Sequence, residues 1–458
     1  MPGTQTETPL AADARPWYAG ISGYQWLVLL VASAGWVFDI YENQIFAVTK
    51  GNMLGDLLHV APNSPAVQQY GDMINSLFLV GGAVGGVGFG MIADRFGRGR
   101  SMVLSILVYA VFSALTAAAQ SVWQVAILRF LVATGTGGEW AVAAALVSEV
   151  FPRRARAHAS GIFHASSILG GMAAGVASII AGPNWRHAFL LGLVPALLVF
   201  AVRFCVRDQP RRLTSDPRDA GDVETGPAQA QPASRRGFGE FWSNREYRRR
   251  ALLGLLLAGI GLIGYWGVYV AGQDLARHFL IRHGVPAPVA ELDAKRAYTF
   301  YQNIGNAIGL FSMGPLCAWL GRRRAFLFMQ VGAMIATPLA CFLPTTYGAL
   351  LVMLSIMGFF VNGMHAGYAV WFPELFPAHL RATGAGICFN GARLLAAPAL
   401  ALSGWLKGHF ALPAAVSVLA GVYLIGLVAA LLLPETKGRP LEEETGADTG
   451  RPLTASST

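Results

Sequence analysis

Five charged side chains lie inside long apolar stretches of this 458-residue sequence: Asp39, Glu42, Arg129, Glu139 and Arg393. Burying a charge in lipid costs at least about 2.5–3.5 kcal/mol, so such residues mark functional sites. An arginine favours the charged form of a neighbouring carboxylate, whereas burial favours the protonated form. The chemistry that these residue types favour is therefore proton exchange and the binding of anions.

Asp39 and Arg129 lie at similar depths in the first and fourth apolar stretches. Counted along a helix, Asp39 is roughly 12 Å and Arg129 roughly 9 Å from the outer end of its stretch. An ion pair between them is feasible, and Glu42 lies one helical turn from Asp39 on the same face. We interpret all three as candidates for proton coupling. A static structural ion pair, and a Glu42 that lies at the membrane interface, are the alternatives.

Glu139 and Arg393 lie near the middle of their apolar stretches. Gly137 and Gly138 precede Glu139 and would allow a substrate or another helix to approach closely, so Glu139 is a further candidate for carrying a proton or contacting substrate. A protonated carboxyl in a structural hydrogen bond is the alternative. Arg393 could bind a substrate carboxylate through two parallel hydrogen bonds. Its alternative is an intramembrane partner that the sequence does not reveal.

Polar and aromatic residues inside the apolar stretches supply further candidates for substrate binding. Each of them alone is more often a satisfied core group or a hydrogen bond between helices. Gln302, Asn303 and Asn306 share one stretch, and Asn362 and His365 are three residues apart in another, so a polar wall is expected. The candidates for substrate binding are Tyr265, Trp266, Gln302, Asn303, Asn306, Asn362, His365 and Asn390. His164 and Tyr368 complete the polar and aromatic set, and His164 and His365 titrate in the range that proton coupling uses.

The composition identifies a membrane protein. Apolar residues make up 54% of the chain and charged residues 13%, about half the charge that a soluble domain carries. Soluble enzymes, nucleic-acid-binding proteins and secreted disulfide scaffolds are therefore excluded. The net charge of +9 fits basic loops on the cytoplasmic side of a membrane. The four cysteines show no paired spacing and are interpreted as packing residues.

Twelve apolar runs are long enough to cross a bilayer as helices. The predicted spans are 24–47, 72–92, 101–119, 123–148, 158–181, 186–204, 250–271, 299–320, 325–343, 348–371, 383–405 and 413–433. With the N-terminus inside, 25 of the 34 Lys and Arg residues fall on the cytoplasmic side, which predicts that both termini are cytoplasmic. A cell inner membrane is the expected location.

An internal repeat divides the chain into two halves. GMIADRFGRGR begins at Gly90 and GPLCAWLGRRR at Gly314, an offset of 224 residues. SEVFPRRAR and PELFPAHLR repeat at an offset of 225 residues. The predicted fold is an all-α membrane protein with twelve transmembrane helices in two six-helix bundles around a central cavity. The predicted divisions are a tail (1–23), a bundle (24–204), a linker (205–249), a second bundle (250–433) and a tail (434–458).

These motifs resemble those of the major facilitator superfamily. GMIADRFGRGR is similar to its loop signature G-x-x-x-D-R-x-G-R, and the repeated E-x6-R elements with the closing PETKG are similar to the sugar-porter branch. RFLVATGTGGEW is similar to metabolite and sialate-type organic acid:proton symporters. The resemblance spans residues 24–438 and implies two halves that rock to open the cavity to either side.

The same resemblance implies a gate at the cytoplasmic end. In the family, the acidic residue of the loop signature, here Asp94, latches that end in the outward-facing state. Ala318 takes its place in the second half, so the latch is expected to be asymmetric. The E-x6-R pairs could join the halves when the cavity closes inside, and solvated loop charges are the alternative. The gating candidates are Gly90, Asp94, Arg95, Gly97, Arg98, Glu149, Arg156, Glu374 and Arg381.

The predicted function is proton-coupled symport of a small organic anion, such as a carboxylate, an aromatic acid or a sugar acid. A neutral-sugar or polyol carrier is the first alternative. A drug:proton antiporter ranks lower, because the fifth span has no Gly-Pro pair, which such antiporters usually carry. A transport-inactive sensor or a membrane enzyme ranks lowest, since the sequence shows no nucleophile–base set, metal spacing or phosphate loop. The expected partners are substrate, protons and lipid, with no cofactor, and the expected functional unit is a monomer.

Overall fold

The structure is a computed structural model that describes residues 18–96, 98–152, 155, 159, 162–193, 242–377 and 380–437. Within these ranges the regular structure is helical. The helices of the N-terminal half are α1 (Gly23–Leu58), α2 (Pro65–Phe96), α3 (Arg98–Thr116), α4 (Val122–Val150), α5 (Ser167–Ala181) and α6 (Trp185–Leu190). Local sequence sets where they begin: Ser22 caps α1 in a capping box with Gln25, and the Ser121 side chain caps α4.

The C-terminal half contains helices that are interrupted more often. They are α7 (Arg245–Ile263), α8 (Gly272–Arg282), α9 (Ala287–Arg296), α10 (Asn303–Leu320), α11 (Arg322–Phe342), α12 (Tyr347–Gly363), α13 (His365–Glu374), α14 (Arg381–His409), α15 (Leu412–Leu419) and α16 (Tyr423–Leu432). Two π-helical turns, Gly264–Tyr269 and Ala297–Gln302, lie between α7 and α8 and between α9 and α10. Such turns occur often at functional sites, and these two contain Tyr265, Trp266 and Gln302.

Eight helical segments in the described ranges are long and apolar enough to cross a membrane, and they coincide with eight of the predicted spans. The helices themselves run further than the apolar stretches do. The apolar stretch of span one ends at residue 47, whereas α1 continues to Leu58. The predicted span seven ends at residue 271, whereas helical structure continues through α8 to Arg282. The extensions contain charged and polar residues that end the apolar stretches, so hydropathy alone does not detect them. Lys50, Asp56, Asp274 and Arg277 in these extensions form ion pairs.

Close backbone contacts join equivalent membrane spans in the two halves. In the N-terminal half they join spans two and four (α2 and α4), and in the C-terminal half spans eight and ten (α10 and α12). In the N-terminal half, Gly137 of α4 lies against the backbone of Gly82 in α2. In the C-terminal half, Gly309 of α10 lies against Phe359 and Gly363 of α12. A side chain at Gly137 or Gly309 would overlap the facing helix, so only glycine permits these contacts. The equivalent packing in the two halves agrees with the internal repeat.

The two halves meet at one end of the bundle. We call the end where α1 finishes, near Leu58, the outer end, following the topology predicted from the sequence. Close to it, the Gln273 amide of α8 donates to the Val48 carbonyl of α1 at 3.1 Å. Lys295 of α9 donates to the Ser178 carbonyl of α5 at 3.3 Å. The outer end is therefore closed in this structure.

Candidate functional site

Arg129 is paired with Glu42. Its Nη2 donates to the Glu42 backbone carbonyl at 2.7 Å, and its Nη1 lies 4.0 Å from the Glu42 carboxylate. Both side chains are fully buried. The guanidinium also lies 4.5 Å from the centroid of the Phe78 ring. Depth in the membrane suggested Asp39 as a feasible partner, but depth does not fix the direction in which a side chain leaves its helix.

Asp39 lies within range of the charge of an arginine of the other half, without a direct ion pair between the two side chains in this structure. Asn43 donates to its carboxylate at 2.7 Å. The charges of Asp39 and of Arg393, on α14, act on each other. The Arg393 guanidinium lies against Gly82 of α2, in the space that a side chain at Gly82 would occupy. The two halves thus contribute opposite charges to one region inside the bundle, a buried Asp39 and a half-buried Arg393.

The glycines before Glu139 serve helix packing. Gly137 lies against Gly82, and Gly138 lies against the Phe89 ring, both on α2. Glu139 belongs to α4, but its side chain lies outside the described part. On α14, Asn390 lies close to Gly86 of α2, one turn from the contact between Arg393 and Gly82.

The expected polar wall is present as a chain of hydrogen-bonded amides. Tyr269 donates to Asn303 at 2.8 Å, Asn306 donates to Asn303 at 3.4 Å, and Asn362 donates to Asn306 at 2.7 Å. His365 continues the wall, with Nδ1 3.2 Å from the Asn362 carbonyl. Its Nε2 is buried and has no hydrogen-bond partner among the described residues. A buried, unused ring nitrogen is available to a bound molecule.

Gln44 of α1 connects this wall to the N-terminal half. Its amide nitrogen donates to the Tyr265 hydroxyl, and its amide oxygen accepts from the Tyr298 hydroxyl. Trp266 packs edge-on to Tyr265, with ring centroids 5.2 Å apart, and lies 5.8 Å from the Phe78 ring. Gln44, Tyr269 and Tyr298 were not identified from the sequence. They lie on the same helical segments as residues that were, which is the signal that could have found them.

Gln302 is arranged differently from its neighbours. Its side-chain nitrogen donates to the Tyr269 carbonyl at 2.7 Å. Its amide group also lies against Gly272 at the start of α8. We interpret Gln302 as a side chain that holds the two π-helical turns together, beside the wall that Asn303 and Asn306 form.

A cluster of charges at the outer end was missed by sequence reasoning. Lys50 Nζ lies 2.7 Å from the Asp274 carboxylate, and Lys407 Nζ lies 2.8 Å from the Asp72 carboxylate. Arg277 lies 2.8 Å from Asp274 within α8. Lys50, Asp274, Arg277 and Lys407 fall beyond the predicted spans and Asp72 is the first residue of one, so none of them is among the five charges that the sequence predicts inside the membrane. The structure buries them between the helix extensions of the two halves.

Glu374 has its partner within its own half. Arg322 contacts its carboxylate at 2.6 and 2.9 Å, and the Thr436 hydroxyl donates to it at 2.5 Å. Glu435 accepts from the backbone N–H groups of Arg322 and Arg323, each at 3.0 Å, and so caps α11. Burial raises the pKa of Glu435, but backbone N–H donors outweigh it and hold that pKa below its ordinary value.

The other gating candidates are described incompletely. Gly97 and Arg156 lie outside the described residues. The structure describes only the backbone of six further candidates, Gly90, Asp94, Arg95, Arg98, Glu149 and Arg381.

Comparison with known proteins places the chain among transporters. The sequence pattern of the Major Facilitator Superfamily matches residues 26–281 and 296–457. A cis,cis-muconate transport protein of Acinetobacter baylyi is 28% identical over 374 residues, covering 80% of this chain and 86% of the relative. The niacin transporter NiaP of the same species is 26% identical over 443 residues, covering 92% and 97%.

The fold itself is similar to that of solved membrane transporters. The crystal structure of a D-xylose-proton symporter superposes with a TM-score of 0.67 at 18% sequence identity, covering 91% of this chain and 100% of the other. Together with the match over residues 26–281 and 296–457, this likeness confirms the predicted all-helical fold of two six-helix bundles.

Proposed function

Because the chain belongs to the Major Facilitator Superfamily, it is a multi-pass membrane transporter and not an enzyme, and we propose that it imports a small organic anion together with protons. The observation that carries the proposal is that Arg393 of the C-terminal half lies against Gly82 of the N-terminal half, close enough to the buried Asp39 for their charges to interact. The cell inner membrane, cytoplasmic termini and a monomeric unit are part of the same proposal.

In this proposal, Arg393 interacts with one of two anions, the Asp39 carboxylate or the carboxylate of the substrate. When Asp39 is ionised, its carboxylate neutralises Arg393, and a second anion gains little by approaching. When Asp39 binds a proton, Arg393 keeps its charge and is free to take the carboxylate of a substrate through two hydrogen bonds. Each event favours the other, because coupling between two binding sites is reciprocal. Proton and anion are therefore carried together.

Glu42, Arg129 and Glu139 have supporting parts in this proposal. Arg129 fixes α4 against α1 through the Glu42 carbonyl at 2.7 Å, and Glu42 offers a second carboxylate close to Asp39. Glu139 stays a candidate for a proton or substrate contact. None of the three carries the proposal, which depends on Asp39 and Arg393.

The wall of the site suits a flat, unsaturated acid. Tyr265 offers a half-buried ring backed by the buried Trp266, and Asn362, Asn390 and His365 offer polar groups on the C-terminal half. Tyr265 stacks on Tyr269 with centroids 5.3 Å apart, which makes a layer against which a planar ring can pack. The relatives' names support this class, since muconate and niacin are conjugated carboxylic acids.

Movement of the halves would expose this site to each side in turn. The outer end is closed in the structure, so the opposite state needs contact at the inner end. The residues proposed for that contact are the gating candidates Gly90, Asp94, Arg95, Gly97, Arg98, Glu149, Arg156, Glu374 and Arg381. Glu374 would exchange its present partner Arg322 for one in the N-terminal half.

A carrier of neutral sugars or polyols is the second candidate. The amide wall of Asn303, Asn306 and Asn362 favours it, because amides serve as both donors and acceptors for hydroxyl groups. The half-buried Arg393 argues against it, since a neutral ligand would leave the guanidinium without a substrate contact.

Uptake into proteoliposomes tests the proposal. Labelled cis,cis-muconate, nicotinate and xylose are compared while a pH-sensitive dye reports the internal pH. We expect uptake of an acid with internal acidification, lost in Arg393→Gln and kept in Arg282→Gln, an exposed arginine on α8. Uptake of xylose but of neither acid would replace the proposal by the sugar carrier.

A further inference from the structure

Four buried charges at the outer end form two pairs between the halves. The N-terminal half contributes Lys50 of α1 and Asp72 of α2, and the C-terminal half contributes Asp274 of α8 and Lys407 of α14. Lys50 pairs with Asp274 at 2.7 Å, and Lys407 pairs with Asp72 at 2.8 Å. Their side chains are 0–3% exposed. Opening the outer end must separate both pairs.

Each half brings one positive and one negative charge to this group, which we call the outer quartet. The members of each half also lie near each other. Lys50 reaches α2, where its Nζ is 3.2 Å from Gln68 and its stem lies against Gly71, the residue before Asp72. The charge of Lys407 acts on Asp274 as well as on Asp72. The quartet is therefore one cluster rather than two distant pairs.

Separation takes all four charges out of buried pairs, and each must then be satisfied by water at the opened entrance or by a new partner. Arg277 relieves part of this for Asp274, since it lies 2.8 Å from that carboxylate within α8. It offers nothing to Lys50, Asp72 or Lys407. A new partner within the same half would offset part of the pairing that is lost on opening.

We propose that the outer gate opens by an exchange of ion-pair partners within the quartet. The pairs Lys50–Asp274 and Asp72–Lys407, which join the halves, give way to Lys50–Asp72 and Asp274–Lys407, each inside one half. Because each half is neutral over its two members, both arrangements satisfy all four charges. The proposal rests on alternating access, and it is independent of which substrate or ion is carried.

Two double variants with the same types of change separate this proposal from a simple salt-bridge gate. Lys50→Asp with Asp274→Lys keeps opposite charges facing each other between the halves, but puts two like charges within each half. Lys50→Asp with Asp72→Lys does the reverse. Exchange predicts that the first variant is held closed at the outer end and the second is held open, with transport lost in both.

The readout is the distance between spin labels introduced by Val60→Cys and Val289→Cys, in a background without the native cysteines. Both positions are exposed and lie near the outer ends of opposite halves. We expect the first variant to show only the short distance and the second only the long one. The quadruple variant Lys50→Asp, Asp72→Lys, Asp274→Lys, Lys407→Asp allows both arrangements and should regain both distances and transport.

The exchange would be overturned if the first variant, Lys50→Asp with Asp274→Lys, retained the long distance and normal transport. That result would mean that water solvates the charges when the gate opens, so that pairs within a half are not needed.

Neutral versions of the two double variants guard against misfolding. Lys50→Gln with Asp274→Asn leaves only a pair between halves and should favour the short distance. Lys50→Gln with Asp72→Asn leaves only Asp274 and Lys407, a pair within the C-terminal half, and should favour the long distance. Equal distances in these two neutral variants would also refute the exchange. Since the readout is a distance, failure of the substrate proposal leaves this test intact.

Discussion

The Arg393 guanidinium of α14 occupies the space beside Gly82 of α2 that a methyl group would need. Glycine at this position therefore does more than allow two helices to pack. It lets a cation of one half enter the other half, where its charge meets that of Asp39. The proposed anion site depends on this small residue.

Gly82→Ala should weaken substrate binding with little loss of stability. The added methyl group displaces the end of a flexible side chain, which can move, rather than backbone, which cannot. We expect the KM for the anion to rise by about tenfold or more, since displacing a charge-assisted hydrogen bond costs about 1.5–3 kcal/mol. Gly88→Ala, on the same helix with open space around it, is the control and should leave KM unchanged.

Asp39→Asn should separate proton movement from substrate movement. The amide cannot release or take up a proton in the relevant range, so Arg393 stays without an anionic neighbour and available to substrate. Exchange of labelled for unlabelled anion across proteoliposomes is expected to continue, whereas accumulation driven by a pH gradient disappears. Gradient-driven accumulation at the wild-type level would remove Asp39 from the coupling step.

Removing Arg129 should destabilise the fold more than removing the whole pair. Arg129→Met leaves the fully buried Glu42 without its cation, which costs about 3–5 kcal/mol for a buried pair broken on one side. The double variant Arg129→Met with Glu42→Gln has no unpaired carboxylate at this position, so it should regain part of the stability that Arg129→Met loses. Thermal unfolding in detergent measures both, and a double variant no more stable than Arg129→Met would contradict the pairing.

Sequence reasoning predicted the elements of the site better than their partners. The polar wall followed from local spacing, because Asn362 and His365, like Asn303 and Asn306, are three residues apart on helices. The opposition of Asp39 and Arg393 could not be predicted, since it depends on how two distant helices rotate and pack. Depth alone suggests Arg129 as the ion-pair partner of Asp39. In the structure α1 is rotated so that Glu42, and not Asp39, contacts Arg129.

The outer quartet was missed for a different reason. Hydropathy identifies only the apolar part of a helix. The predicted spans therefore end before charged residues such as Lys50 and Lys407, although the helices continue past them. The helices continue past these residues because pairing between the halves satisfies them. Asp274 in α8, beyond the predicted end of span seven, is the same case. Amphipathic continuation of a helix is the pattern that would have revealed them.

The Glu435 cap should make the packing at the end of α16 sensitive to acid. Its pKa is lowered below the ordinary value of 4.5 in the folded protein, so it stabilises the fold above that value and this contribution is lost as pH falls through the folded pKa. Melting temperatures between pH 7 and pH 3 should fall more steeply for the wild type than for Glu435→Gln. Parallel curves would show that the cap contributes nothing to stability.

The internal repeat predicts an ion pair in the N-terminal half. Arg322 and Glu374, which contact each other at 2.6 Å, stand at the positions equivalent to Arg98 and Glu149 by the offsets of 224 and 225 residues. We therefore expect Arg98 to pair with Glu149 within the N-terminal half. Because a partly exposed pair is worth up to about 1 kcal/mol, the test is a charge reversal rather than a deletion. Arg98→Glu and Glu149→Arg alone should each lower transport, and the two together should restore it. A double variant no better than the worse single one would show that the halves differ here.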